Sequence, residues 1–270
     1  LGHRPLAPLA PRAPAPRRPD SPCPARLPED PMTTIDHPAG RPLPGPRRRR
    51  TTVAAWWYGL STLAIAVFAV VPYLTSSLRD QADQGNEVAI NYVDRSTVFQ
   101  VFLYLHIAFG GVALLLSPLQ LSARVRARVP RLHRVVGRIT VAAICLAGTA
   151  GAALSTVNLA GPIGTAGFGL LAVLWASFAV TAVRAIRRGD VPAHRRWAIR
   201  TFALTYAAVT LRLWMLVMSA VQIGAGTDSD VAFDRAYHVV PFLCWVPNLL
   251  VAQWLLTRPD PTPTARPRLS

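Results

Sequence analysis

The chain has 270 residues, 51% of them hydrophobic, and a formal net charge of +16. That pairing excludes an ordinary soluble domain and suits a membrane protein, in which lipid takes the apolar runs and charge gathers in the loops. All 29 basic residues are arginine, and beyond residue 50 they sit mainly between long apolar stretches rather than on one polar face, which argues against nucleic acid as a partner.

Residues 1–50 hold 14 prolines and 10 arginines. Such a segment buries too little apolar surface to offset its ordering entropy, so a disordered cytoplasmic tail is expected. It contains no apolar core of signal-peptide length. Met32 is a candidate initiator, with the stretch before it an overextended gene start. Arg47 to Arg50 then form a basic block ahead of the first apolar run.

Six apolar runs follow, each near the ~20 residues that a helix needs to cross hydrocarbon. They fall at 53–74, 98–119, 139–157, 164–183, 197–221 and 239–256. Trp56, Trp57, Tyr73, Trp197, Tyr237 and Trp254 edge them, as interfacial aromatics do. Ala and Gly crowd the third run, which should pack closely on its neighbours. The predicted fold is all-α: a polytopic integral membrane protein, a six-transmembrane-helix bundle over 51–257, with a short disordered cytoplasmic tail at 258–270.

Loop charge predicts the orientation. Six arginines and no acid separate spans two and three; six more, against Asp190 alone, separate spans four and five. The remaining loops lean acidic, with Asp80, Asp83, Glu87 and Asp94 in one and Asp228, Asp230 and Asp234 in the other. Positive loops stay inside, so both termini are expected in the cytoplasm of a bacterial cell, with the bundle in the inner membrane. Arginine collars of this kind also meet anionic lipid head groups. No nucleotide fingerprint or exposed triad stands in the loops, and Cys23, Cys145 and Cys244 have no metal spacing.

Chemistry therefore belongs to the bundle. His106, Arg212 and Asn248 lie on three different spans at a similar depth, ~12 to 13 Å from the outer edge at helical rise. Polar groups at that depth face the bundle interior or a wet cavity, so the three are expected to share a ligand pocket, with Tyr237 and His238 at its mouth. No span carries an obvious mid-depth break, although Pro247 is placed to kink span six and free a carbonyl near Asn248. At the inner face His133 and His194 each open a span beside arginine. Imidazoles there suit a ligand pair or proton relay, and His106, His133 and His194 are the candidate cofactor-binding residues for a haem b with arginines on its propionates.

The motifs His106-x-x-x-Gly110, Ser117-Pro118-Leu119-Gln120, Leu132-His133-Arg134-x-x-Gly137-Arg138, His194-Arg195-Arg196-Trp197-x-x-Arg200, Ala207 to Arg212 and Trp245-Val246-Pro247-Asn248 resemble a bacterial family of membrane proteins named as domain of unknown function 2306. The resemblance covers roughly 98 to 256. It implies a polytopic membrane protein and brings no established activity. His106, His133, His194, Arg212 and Asn248 fall in its motifs and His238 does not; Gln253 stands where the resemblance implies an acidic residue. A fainter likeness is to the di-haem transmembrane cytochromes b. The functional expectations are haem- or quinone-linked electron transfer, or a small-solute or lipid transporter using the His106, Arg212 and Asn248 pocket, or a non-catalytic subunit of a membrane complex.

Overall fold

A computed structural model describes residues 46–258, with side chains from Val53 onward. The expectations for the two tails, for Met32 and for Cys23 concern residues outside this range.

The described residues are helical, with no strand among them. The elements are α1 (Pro46–Thr75), α2 (Leu78–Asp83), α3 (Glu87–Val93), α4 (Thr97–Leu121), α5 (Ala123–Arg128), α6 (Pro130–Leu154), α7 (Gly161–Arg187), α8 (Val191–Thr205), α9 (Ala207–Gly224), α10 (Ser229–Leu243) and α11 (Val246–Thr257). A 3-10 turn, Ser155–Val157, joins α6 to the loop before α7. Six segments are long and apolar enough to cross a membrane: α1 from Val53, α4, α6 with its 3-10 turn, α7, α8 with α9, and α10 with α11. The protein is a six-helix membrane bundle.

The helices outrun the apolar stretches read from sequence, chiefly at their arginine-bearing ends: α6 begins at Pro130 and α7 ends at Arg187. Arginine is a good helix former, and the backbone ladder continues past the lipid boundary. The starts of α6, α7, α8 and α11 each carry Pro in the first turn, where its missing N–H leaves no bond unmade. For the same reason α1 starts at Pro46, so the Arg47 to Arg50 block belongs to a helix rather than to the preceding tail.

Small residues set the packing. Half of the apolar stretch of span three is buried within the protein, against 11% of that of α1. Ala143, Ala147 and Ala150 of α6 are essentially inaccessible, so α6 lies between α4 and α7 with backbones close. Gly167 of α7 sits on Pro241 of α10: a Cβ there would stand 2.6 to 2.9 Å from the proline Cβ and its carbonyl group. Trp and Leu side chains of α1, such as Trp56, Leu60 and Phe68, are 59 to 69% exposed, as a lipid-facing surface is.

Spans five and six are both interrupted inside the bundle. Between α10 and α11 the break falls just before Pro247, as its missing N–H dictates. Between α8 and α9 it falls at Tyr206, without the Gly or Pro by which a break is read from sequence. Side chains explain it. The Asn248 amide donates to the Ala203 carbonyl at 3.3 Å and the Cys244 carbonyl at 3.0 Å, and Thr210 also donates to Cys244. One asparagine thus supplies donors to carbonyls at both breaks, which is how a ladder is opened without exposing bare backbone to hydrocarbon.

Candidate functional site

The interruption at Tyr206 turns the inward face of α9 toward a cavity of about 320 Å³ in the middle of the bundle. That volume is at the lower end of the roughly 300–1,000 Å³ of small-molecule sites. Its walls are mainly apolar, from α1, α4, α6, α7 and the α8–α9 span. Trp175, Leu204 and Thr205 close it toward the arginine-rich rim, and the Trp175 indole donates to Thr205 Oγ1 at 2.9 Å. Tyr73, Val88 and Tyr92 roof it toward the acidic rim, where α3 is tied down by Tyr92 Oη to the Leu154 carbonyl and Asn91 Nδ2 to the Val157 carbonyl, at 3.3 and 3.0 Å.

Two polar groups dominate this apolar space. His106 of α4 pairs through Nδ1 with the Ala147 carbonyl of α6 at 2.9 Å. A carbonyl can only accept, so Nδ1 carries the proton and the neutral ring keeps its Nε2 lone pair for another partner. The ring packs against Gly151, where a Cβ would lie 2.9 Å from Nδ1 and 3.0 Å from Cε1. Glycine is required here by close approach, not by backbone conformation.

Arg212 of α9 donates through Nη1 to the carbonyl of Ala208, one turn back, at 2.9 Å. Tyr73, Tyr237, Cys244 and His106 lie within electrostatic reach of it. None is a carboxylate. Among the described residues the ion pairs are Arg79 with Asp94 and His238 with Asp234, both outside the cavity. The guanidinium has five N–H groups, so most of its donors and its charge have no protein counterpart among the described residues. Arg212 is partly buried; holding a charge there without a counter-charge is costly, and an arginine inside a membrane bundle is by default a candidate for function.

The third expected pocket residue, Asn248, does not line the cavity. Its amide is consumed by Ala203, Cys244 and Thr210, so it braces the two broken spans instead. At the expected mouth, Tyr237 lines the cavity. His238 points to its own turn, with Nδ1 2.8 Å from the Asp234 carbonyl and 3.5 Å from its carboxylate.

His133 and His194 stand apart from this cavity, at the arginine-rich rim. His133 lies within electrostatic reach of Arg126 and of His194. His194 donates from Nδ1 to the Ala182 carbonyl at 2.9 Å; Nδ1 of His133 is buried without a hydrogen-bond partner. The cavity therefore offers one imidazole, not two facing each other, and its residues do not fit a bis-histidine haem. Among the described residues no three His, Cys, Asp or Glu side chains converge as a metal site.

Residues 103–256, more than half of the chain, match the model of a family described as Predicted membrane protein (DUF2306). The chain belongs to that family. No curated protein and no solved structure is a significant match. The matched DUF2306 region carries His106, Arg212 and Trp175, while α1 and α3, which complete the cavity, precede it. Gln253, which departs from the acidic residue expected in DUF2306, takes both Nε and Nη2 of Arg200 on its Oε1, at 3.2 and 2.8 Å. Sequence reading missed the cavity role of Tyr73, Tyr92, Asn158, Trp175 and Thr205. Only Tyr73 had been singled out, as an interfacial aromatic.

Proposed function

We propose that this DUF2306 chain is a membrane protein that binds the anionic group of a small ligand in its interior cavity, as a carrier or receptor rather than a haem protein. The observation that carries this is Arg212: a guanidinium beside an apolar cavity, with no carboxylate paired to it among the described residues. A carboxylate or phosphate on the ligand would take its free donors in a fork geometry and neutralise its charge. Nε2 of His106 would accept a hydrogen bond from a ligand hydroxyl. A quinone is neutral and would leave the arginine charge unanswered, so an anion is favoured over it. By the positive-inside rule the arginine-rich rim faces the cytoplasm of a cell membrane, where it also holds anionic lipid head groups.

The test is thermal stability of the purified protein against a panel of short carboxylates, phosphate monoesters and fatty acids. A ligand at 100 times its Kd should stabilise wild type by ~2.7 kcal/mol and leave Arg212→Gln unmoved. A purified protein with the Soret band of bound haem, or a panel that shifts both proteins equally, would overturn the proposal.

A further inference from the structure

The cavity has a second, lateral boundary. Outside it, between α1 and α4, lies an apolar groove of about 190 Å³ formed by Val67, Val71, Ala108, Val112 and Leu115. Groove and cavity share Ala66, Val70 and Gly111. Val70 is seated directly on Gly111, where a Cβ would stand only 2.6 Å from its Cγ2. Ala66, Val70 and Gly111 thus stand between the bundle interior and its α1 flank, with the Val70 side chain filling the space over the glycine.

The seam around that partition has no polar fastening. On the arginine-rich side α1 is pinned: Tyr58 Oη donates to Ser117 at 3.0 Å, Ser61 meets the Tyr206 hydroxyl at 2.9 Å, and the Tyr58 and Tyr206 rings stack at 5.1 Å. On the other side Gln81 reaches the Pro72 carbonyl at 3.4 Å. Between these pins no side-chain hydrogen bond joins α1 to α4 among the described residues, and the contact is methyl on glycine. Rotation of one valine, or a small outward bend of α1 between its pins, joins groove to cavity.

The aqueous routes suit an anion poorly. The acidic-rim side is roofed by Tyr73 and Tyr92 under α2 and α3, whose residues include Asp80, Asp83 and Glu87; like charge repels an approaching anion. On the opposite side the hydrogen-bonded Trp175 and Thr205 line the cavity. We infer that the ligand is a single-chain anionic amphiphile taken sideways from the bilayer between α1 and α4, its head on Arg212 and its chain lying past Val70 in the groove. This rests on the anion site proposed above, and commits it to a lipid source and a lateral route.

The experiment uses full-length protein in phosphatidylcholine nanodiscs and dodecanoate carrying a terminal diazirine. After irradiation, adducts are mapped by mass spectrometry, with unlabelled dodecanoate or butyrate as competitor. Expected are adducts on Val67, Val71, Ala108 or Val112, competed at least tenfold better by dodecanoate than by butyrate and lost in Arg212→Gln. Gly111→Leu, which wedges the seam, should reduce them about tenfold. Val70→Ala, which thins the partition without adding bulk, should speed labelling and so serves if the leucine variant does not fold. If butyrate competes as well as dodecanoate and adducts stay on cavity residues, the anion site stands and the lateral route fails. Groove adducts that neither acid competes and that persist in Arg212→Gln mark surrounding lipid and overturn the inference. If neither acid competes for any adduct or raises thermal stability, the anion site fails with it.

Discussion

Arg200 and Arg212 lie on the same membrane span, twelve residues apart, and their surroundings are opposite. Arg200, at the basic rim, has side-chain partners: Gln253 accepts two of its N–H groups, and its guanidinium lies over the Trp197 ring at 4.7 Å. Arg212, beside the cavity, has one backbone carbonyl and, in Tyr73, Tyr237, Cys244 and His106, neighbours none of which is a carboxylate. A rim arginine with partners and water nearby is an anchor. An interior arginine without a counter-charge has been kept at a cost to stability, and that cost is what makes it a candidate for ligand recognition.

The contrast breaks most sharply at Arg212 itself. Arg212→Met should weaken dodecanoate binding by at least ~100-fold, in line with the roughly 2–5 kcal/mol lost when one member of a buried charge pair is truncated. The same change should hold or raise the thermal midpoint of the ligand-free protein, because it removes an unpaired buried charge. Intact binding together with a lowered midpoint would make Arg212 a structural residue like Arg200.

Asn248 should behave in the reverse way. Asn248→Ala leaves the Ala203 carbonyl without its side-chain donor and the Cys244 carbonyl with Thr210 alone, at a cost of ~1–3 kcal/mol in stability. Ligand affinity measured on the folded fraction should change less than about threefold, well under the tenfold that 1.4 kcal/mol represents.

Gly151→Ala tests the other wall. The new methyl displaces the His106 ring by a few tenths of an ångström, and affinity should fall on the order of tenfold, about 1.4 kcal/mol, with little effect on Arg200. If calorimetric titration finds the affinity unchanged, His106 has no part in recognition.

The smallest effect is expected at the rim. Gln253→Glu turns the Arg200 contact into an ion pair, worth no more than ~1 kcal/mol at an exposed site. Thermal denaturation should register that gain in low salt and lose it in high salt, while ligand affinity stays as in wild type.

The two histidine groups make the same point at a distance. His133, His194 and His106 look alike in the sequence, each in a family motif beside an apolar run. Folded, the first two meet at the basic rim, and the third is alone at the cavity with its Nδ1 proton committed to Ala147. Histidine spacing along a chain says nothing of which imidazoles share a centre when they come from different helices. Depth along the membrane normal sets His106, Arg212 and Asn248 at one level, and the first two line the cavity while Asn248 does not; depth leaves open which way a side chain turns about its helix.

Sequence alone determined the class of this protein. Six apolar stretches of membrane-spanning length, alternating loop charge and the DUF2306 motifs are local or periodic properties, and lipid enforces them by refusing unpaired backbone and stray charge. The tertiary structure decided how the interior is arranged. The break at Tyr206, the Asn248 brace across two spans, and the enclosure of Arg212 by tyrosines from α1 and α10 all arise from contacts between helices distant in sequence. Such contacts depend on rotation and close approach about each helix axis, set by residues as small as Gly111 and Gly151, and hydrophobic periodicity does not encode them.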